Sequence, residues 1–264
     1  MTVADRSSDE LWVCNLGTVP YADALAIQEQ VRTRRQDGEL PDTLLLLEHP
    51  PVYTRGRRSG ADDLPLGEDF YCAKGIDVIT TDRGGRLTYH GPGQLVGYPI
   101  MRIDDVNRYL RTMEDAIIAA LAEEGISARS RHEEGIDYTG VWVDERKIAS
   151  IGVHVSRGVA THGFAVNVHN ELEPFSWVVA CGLPEVEMTS IARESDGACG
   201  ASGGPSLACF RRRMAHSLCQ AHGRRQRLVT ARRLAVDSTH AAGLAAERAP
   251  IKAVPALQAE PVPA

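Results

Sequence analysis

Lysine is scarce in this chain. Only Lys74, Lys147 and Lys252 occur in 264 residues, and arginine supplies the rest of the 29 basic side chains. One of the three follows directly on Arg146, so charge alone does not explain a lysine at 147. Aromatic residues are also sparse, at 5%. Long hydrophobic runs are missing: the longest unbroken stretch of Leu, Ile or Val is Leu44–Leu47, far below the ~20 residues that cross a bilayer. The first ten residues are polar and acidic and hold no apolar signal core. Together these absences predict a cytoplasmic chain with no membrane contact. The six cysteines (Cys14, Cys72, Cys181, Cys199, Cys209 and Cys219) show no CxxC or related metal spacing. Free thiols, no metal and no cofactor are expected.

What is present fits one globular unit. Apolar residues make up 43% and charged residues 24%, and the length suits one sizeable core rather than two full domains. Charge is uneven. Residues 1–200 hold 19 Lys and Arg against 32 Asp and Glu, whereas residues 201–264 hold 10 against 3. An acidic main body argues against a nucleic-acid binder.

Strands are expected over 11–19, 43–48 and 76–81, and again over 139–144, 147–156 and 160–169. The last three are joined by short polar turns at Asp144-Glu145-Arg146 and Arg157-Gly158. Helices are expected after Pro20, over 68–75, from Val106 to Gly125, and along the stripe Leu207, Phe210, Met214 and Leu218. Residues 55–60 read as a basic loop. The pattern predicts a single α/β domain with a mixed, largely antiparallel sheet flanked by helices. It is bounded as a flexible N-terminus over 1–9, a folded unit over 10–222, and a basic, then Ala- and Pro-rich, flexible tail over 223–264.

Residues 83–98 read RGGRLTYHGPGQLVGY. Five glycines among polar groups make either a tight turn between strands or a loop whose bare backbone lets a substrate lie against it. No GK[ST] follows, so this is not a P-loop, and Gly91-Pro92-Gly93 opens no helix as a dinucleotide fingerprint would. Cys181 lies in VVACGLP, where Gly182 and Pro184 predict a bend. That thiol is either a small core residue or a presented nucleophile. Lys147 is in phase with Ala149, Ile151, Val153 and Val155 on a predicted strand. Such a lysine either snorkels to water or is a partly desolvated amine able to act as a general base.

The motif RGG-xx-T-Y-H-xx-G-Q-x-V-x-Y resembles the signature of the lipoyl(octanoyl) transferase family. Two further segments follow in that family's order: KIASIGVHV with THGFAVNV, and PFSWVVACGL. The resemblance spans roughly residues 10–195. It implies the fold of biotin and lipoate protein ligase catalytic domains. It also implies transfer of an octanoyl group from octanoyl-acyl carrier protein, through a cysteine thioester, to a lysine of a lipoyl domain. The implied acceptors are lipoyl domains of 2-oxoacid dehydrogenase E2 subunits and the glycine cleavage H protein. It assigns Cys181 as nucleophile and Lys147 as the residue that activates it. Substrate binding falls to Arg83, Gly84, Gly85, Arg86, Leu87, Thr88, Tyr89 and His90, to Ser150, Ile151 and Gly152, and to Gly163, Phe164 and Ala165.

The chemistry is coherent. A thiol is mostly protonated at neutral pH, and a neighbouring amine can take its proton. A second thioester conserves the energy of the first, so no ATP is needed. Backbone N–H groups near Gly152 or Gly182 are candidates for holding the oxyanion. Small residues at 150, 152, 163 and 165 leave a narrow slot for a straight chain. Other clusters read as ordinary surface. His154, His162 and His169 have no ligand motif, and Arg211–Arg213 form a solvated face. Arg55, Arg57 and Arg58 could dock an acidic carrier domain. Competing readings are an ATP-dependent lipoate ligase, a non-catalytic module that binds lipoyl or carrier domains, and a cysteine hydrolase using His90 or His154 as base.

Overall fold

The computed structural model describes residues 9–179, 186–195 and 206–236. In chain order the elements are β1 (Glu10–Thr18), α1 (Tyr21–Gln36), β2 (Thr43–Glu48), β3 (Val52–Arg55), α2 (Glu68–Ala73), β4 (Asp77–Thr80), β5 (Thr88–His90), β6 (Gln94–Ile100) and α3 (Val106–Ala122). They continue with β7 (Arg129–Ser130), β8 (Gly140–Val143), β9 (Arg146–Ser156), β10 (Val159–Asn167), α4 (Glu173–Ser176), α5 (Ile191–Glu194), α6 (Leu207–Ala221), β11 (Arg225–Val229) and α7 (Ala231–Leu234).

The main sheet runs β11-β1-β2-β6-β10-β9-β8-β7, and a small sheet runs β4-β3-β5. Within the main sheet only β1 pairs in parallel, with β2 and with β11. The remaining pairs are antiparallel, which gives the mixed, largely antiparallel sheet expected. No helix among the described residues is long and apolar enough to cross a membrane.

The unbroken leucine run of β2 is explained by cover on both faces. Leu44 and Leu46 join the core under α3 and α6, while Leu45 and Leu47 join the one under α1. All four are at most 1% exposed, each worth about 2 kcal/mol of burial. Helix α3 buries Tyr109, Met113, Ile117, Ala120 and Leu121. It starts where the Asp105 carboxylate accepts the Arg108 N–H at 3.0 Å, satisfying an otherwise orphan donor. A third core packs the small sheet: Tyr53, Tyr71, Leu87 and Tyr89 meet Phe175, Val178 and Met188.

Five strands escape the sequence reading: β3, β7 and β11, and also β5 and β6, which fall largely where the glycine-rich segment reads as a turn or loop. β3 is four residues that end on Arg55, where the basic loop begins, and β7 is only two. β11 carries the sheet past residue 222, where the sequence reading ends the folded unit. Its burial is slight, four of five residues being exposed, so no hydrophobic alternation announces it. Pairing with β1, not side-chain burial, makes it a strand. The expected flexible termini lie mainly outside the described residues.

Candidate active site

A cleft lies between the α1 side of the main sheet and the glycine-rich segment. Its walls include Tyr98 of β6, Ser150 and Gly152 of β9, and His162 and Ala165 of β10; Tyr21 at the start of α1 adds to them. The cleft opens to solvent at its mouth, and about 580 Å3 is reached only with that open space included. The glycine-rich loop is held down by backbone: the Gly84 N–H donates to Val153 O at 2.9 Å. Gly152 permits this approach, because a Cβ there would sit 2.8 Å from Gly84 O.

Lys147 is 2% exposed and lines the cleft. Its orientation differs from the in-phase row expected from sequence. Val141 pairs with Ala149, but Trp142 pairs with Lys147, so β9 holds one extra residue there. This β-bulge reverses the alternation. Ala149, Ile151, Val153 and Val155 pack toward the α3–α6 core, whereas Lys147 shares the opposite face with Gly140, Trp142 and Ser150. Its ammonium lies 5.1 Å from the Trp142 ring centroid, within cation–π range.

Cys181 lies outside the described residues, as does Cys199. The chain to either side of Cys181 is anchored. The Val179 N–H donates to Asp63 O at 3.1 Å. Further on, the Lys147 N–H donates to Glu187 O and the Thr189 N–H donates to Lys147 O, both at 2.9 Å.

Beneath the cleft sits a cluster of histidine and tyrosine rings. Tyr21 stacks on His90 with centroids 5.8 Å apart, and His49 lies 5.5 Å from His90. The His49 Nδ1–H donates to Val19 O at 2.7 Å, and its Nε2 accepts the Tyr98 hydroxyl at 2.7 Å. Burial pushes His49 down to about 4 and His90 well below the usual histidine range. His162 is also lowered by burial, which its contact with Asp82 offsets only in part. These rings are therefore neutral at pH 7.

Of the residues singled out for binding, Arg83, Gly85, Arg86, Leu87, Thr88 and His90 line the cleft. So do Ser150, Ile151, Gly152, Gly163, Phe164 and Ala165. Gly84 and Tyr89 do not: Gly84 anchors the loop on β9, and Tyr89 packs between Tyr53 and Phe175. Sequence reasoning missed Tyr21, Tyr98, Arg58, Ile136, Asp137, Thr139 and His162. Tyr98 carried a signal as the closing tyrosine of the RGG-xx-T-Y-H-xx-G-Q-x-V-x-Y motif. His162 lies in β10, and the others come from loops, turns and a helix start that only the fold brings in.

The strand histidines do not converge. His162 and His154 meet at Asp82, at 2.8 and 3.5 Å, while His169 lies against Gly93. Among the described residues no group of three or more His, Cys, Asp or Glu is placed to hold a metal. In the basic loop, Arg55 pairs with Glu68 at 2.7 Å and Arg58 with Asp137 at 2.8 Å. Exposed Arg57 has no carboxylate partner among the described residues.

Comparison with known proteins adds to this geometry. The family model of the lipoyl protein ligase A/B catalytic domain matches residues 20–217. An octanoyltransferase of Rubrobacter xylanophilus is 50% identical over 182 residues, covering 67% of this chain and 80% of that protein. One of Solibacter usitatus is 50% identical over 181 residues, with the same shares. Two solved structures are similar in fold. Lipoate-protein ligase A bound with ATP gives a TM-score of 0.69 at 18% identity, over 87% of this chain and 92% of that one. A bipartite lipoate protein ligase from Thermoplasma acidophilum gives 0.67 at 20%, over 84% and 87%.

Proposed function

This chain belongs to the lipoyl protein ligase A/B catalytic domain family and is a lipoyl(octanoyl) transferase, and from that premise we propose a covalent route with named partners. Octanoyl-acyl carrier protein donates the acyl group, Cys181 holds it as a thioester, and a lipoyl-domain lysine receives it. The acceptors are lipoyl domains of 2-oxoacid dehydrogenase E2 subunits and the glycine cleavage H protein.

In the first half-reaction Lys147 takes the Cys181 proton. The thiolate attacks the thioester carbonyl, the carrier's sulfur leaves, and Lys147 returns the proton to it. In the second half-reaction the acceptor amine attacks the acyl-enzyme. Lys147 accepts the amine's proton and passes it to the departing Cys181 sulfur, so the enzyme is regenerated and no ATP is consumed. Leu87, Ile151, Phe164 and Ala165 wall the octanoyl chain, and Gly152 and Gly163 leave room for it. We take residues 10–222 as the catalytic unit, with β11 and α7 as its C-terminal extension. The reaction belongs in the cytoplasm, where a thiol nucleophile stays reduced.

The observation that carries this reading is a buried lysine lining this cleft, hydrogen-bonded through its own peptide to the chain six to eight residues beyond Cys181. A lysine is rarely buried without a function or a partner. Intact-mass measurement after incubation with octanoyl-carrier protein, without ATP, tests it. One octanoyl adduct is expected, removable by hydroxylamine and absent in Cys181→Ser. Lys147→Ala slows both formation and discharge. An adduct that persists in Cys181→Ser overturns the route.

A further inference from the structure

We propose that Asn167 is a positioning residue, whose side-chain amide orients a buried chain of hydrogen bonds linking the His90 ring to the segment that pairs with Lys147. The catalytic consequence rests on the Cys181–Lys147 reading; the ring orientation does not.

The sheet forks at this point. Pairing of β10 with β9 ends at Val166 and Ala149, while Asn167 still pairs with Gln94 of β6. Into the fork comes the segment 187–189, bonded to both sides of the Lys147 peptide. On the other side of the fork, Asn167 replaces a backbone partner: its Nδ2 donates to Thr189 O at 2.9 Å.

Two backbone carbonyls set the direction of the chain, Thr189 O at Asn167 and Tyr89 O at Gln94. A backbone carbonyl can only accept, so Nδ2 faces Thr189 and Oδ1 faces Gln94. Asn167 Oδ1 then accepts from Gln94 Nε2 at 2.9 Å, and Gln94 Nε2 also donates to Tyr89 O at 3.2 Å. Gln94 therefore turns Oε1 toward His90 Nδ1, 2.8 Å away. An amide oxygen cannot donate, so Nδ1 carries the hydrogen. The ring is neutral, which leaves Nε2 as a lone pair. Nε2 is 3.5 Å from the Thr54 hydroxyl, whose oxygen accepts from Arg83 Nε and Nη2 at 3.2 and 2.8 Å. Polarity thus runs one way, from the glycine-rich loop at Arg83 to the backbone beside Lys147. His90, Gln94, Asn167 and Thr189 are each at most 6% exposed, and at such burial a bond left unmade is not replaced by water.

Asn167→Asp keeps the shape but loses the donor to Thr189 O. Octanoyl-transfer kcat is expected to fall about 100-fold, the scale of an ångström-sized misplacement, while KM for octanoyl-carrier protein stays within about twofold. Gln94→Glu cuts the same chain at a second link and should give the same split. Nitrogen-15 NMR of the wild-type ring provides a readout independent of activity and of any variant: His90 should show its hydrogen on Nδ1. A hydrogen on Nε2 overturns the proposal, as does wild-type kcat in a folded Asn167→Asp. Failure of the thioester reading is seen separately, as no hydroxylamine-labile adduct on wild-type enzyme whose His90 still carries its hydrogen on Nδ1.

Discussion

Lys147 and Gly140 leave no room for a side chain between them: a Cβ on Gly140 would sit 2.7 Å from Lys147 Cε and would collide with Ala149 O. The closeness follows from the bulge, which turns Lys147 onto the face of β9 that Gly140 shares. Gly140 also holds φ +136, a region that side chains avoid.

Gly140→Ala should therefore disturb the lysine as well as the backbone. Strain of about 1–3 kcal/mol is expected, visible as a lowered Tm, together with a turnover loss of about 100-fold. Gly38 is the control. It also has positive φ, but open space surrounds it, so Gly38→Ala should lower Tm and leave turnover intact. Wild-type turnover in Gly140→Ala would show that Lys147 placement does not limit the reaction.

Gly152→Ala tests the docking of the glycine-rich loop. The added methyl would press on Gly84 O and approach the Arg83 side chain at 3.4 Å. Overpacking of this kind costs about 1–3 kcal/mol. The loop should lift from β9, and KM for the acyl donor should rise about tenfold with a smaller change in kcat. Steady-state kinetics with varied donor would reveal this; an unchanged KM would separate the loop from substrate binding.

Acid should destabilise the fold through its buried histidines. Unfolded His49 binds a proton below about 6.5, but folded His49 only below about 4. Between those values the unfolded chain holds more protons, so stability falls as pH drops through that window. The loss from His49 alone is on the order of 3 kcal/mol, and His90 and His162 shift in the same direction. Thermal melts from pH 7 to 4 should show a falling Tm, and His49→Gln should flatten the slope while lowering Tm at pH 7. An equally steep slope in that variant would remove His49 as a cause.

Arg57 is the basic-loop arginine left over once Arg55 and Arg58 are paired. Arg57→Glu should raise the apparent KM for an acidic carrier protein several-fold, with kcat held, and the effect should shrink above about 0.3 M salt as screening grows. Equal KM values at low salt would discard this loop as a docking contact.

Much of the architecture is legible from local pattern. The doubly covered β2, the amphipathic α3 and the hairpins at Asp144 and Arg157-Gly158 all follow from hydrophobic spacing and turn chemistry. The glycine-rich segment announces a loop that a substrate can approach, and most of its polar residues do line the cleft. Short pieces such as β3 and β7 leave no periodicity to read, and exposed β11 has none on offer.

Residue types and their spacing fixed the long patterned elements and their covered faces, because burial and turn preference act over a few neighbours, while the roles of Cys181 and Lys147 were implied only by the family resemblance. Which way Lys147 points was decided only by the assembled sheet. A strand read alone alternates, but one extra residue against Trp142 reverses that alternation, and whether a bulge forms depends on a partner strand that the local pattern does not contain. The fork held by Asn167 and the neutral rings under the cleft are likewise products of segments brought together from across the chain.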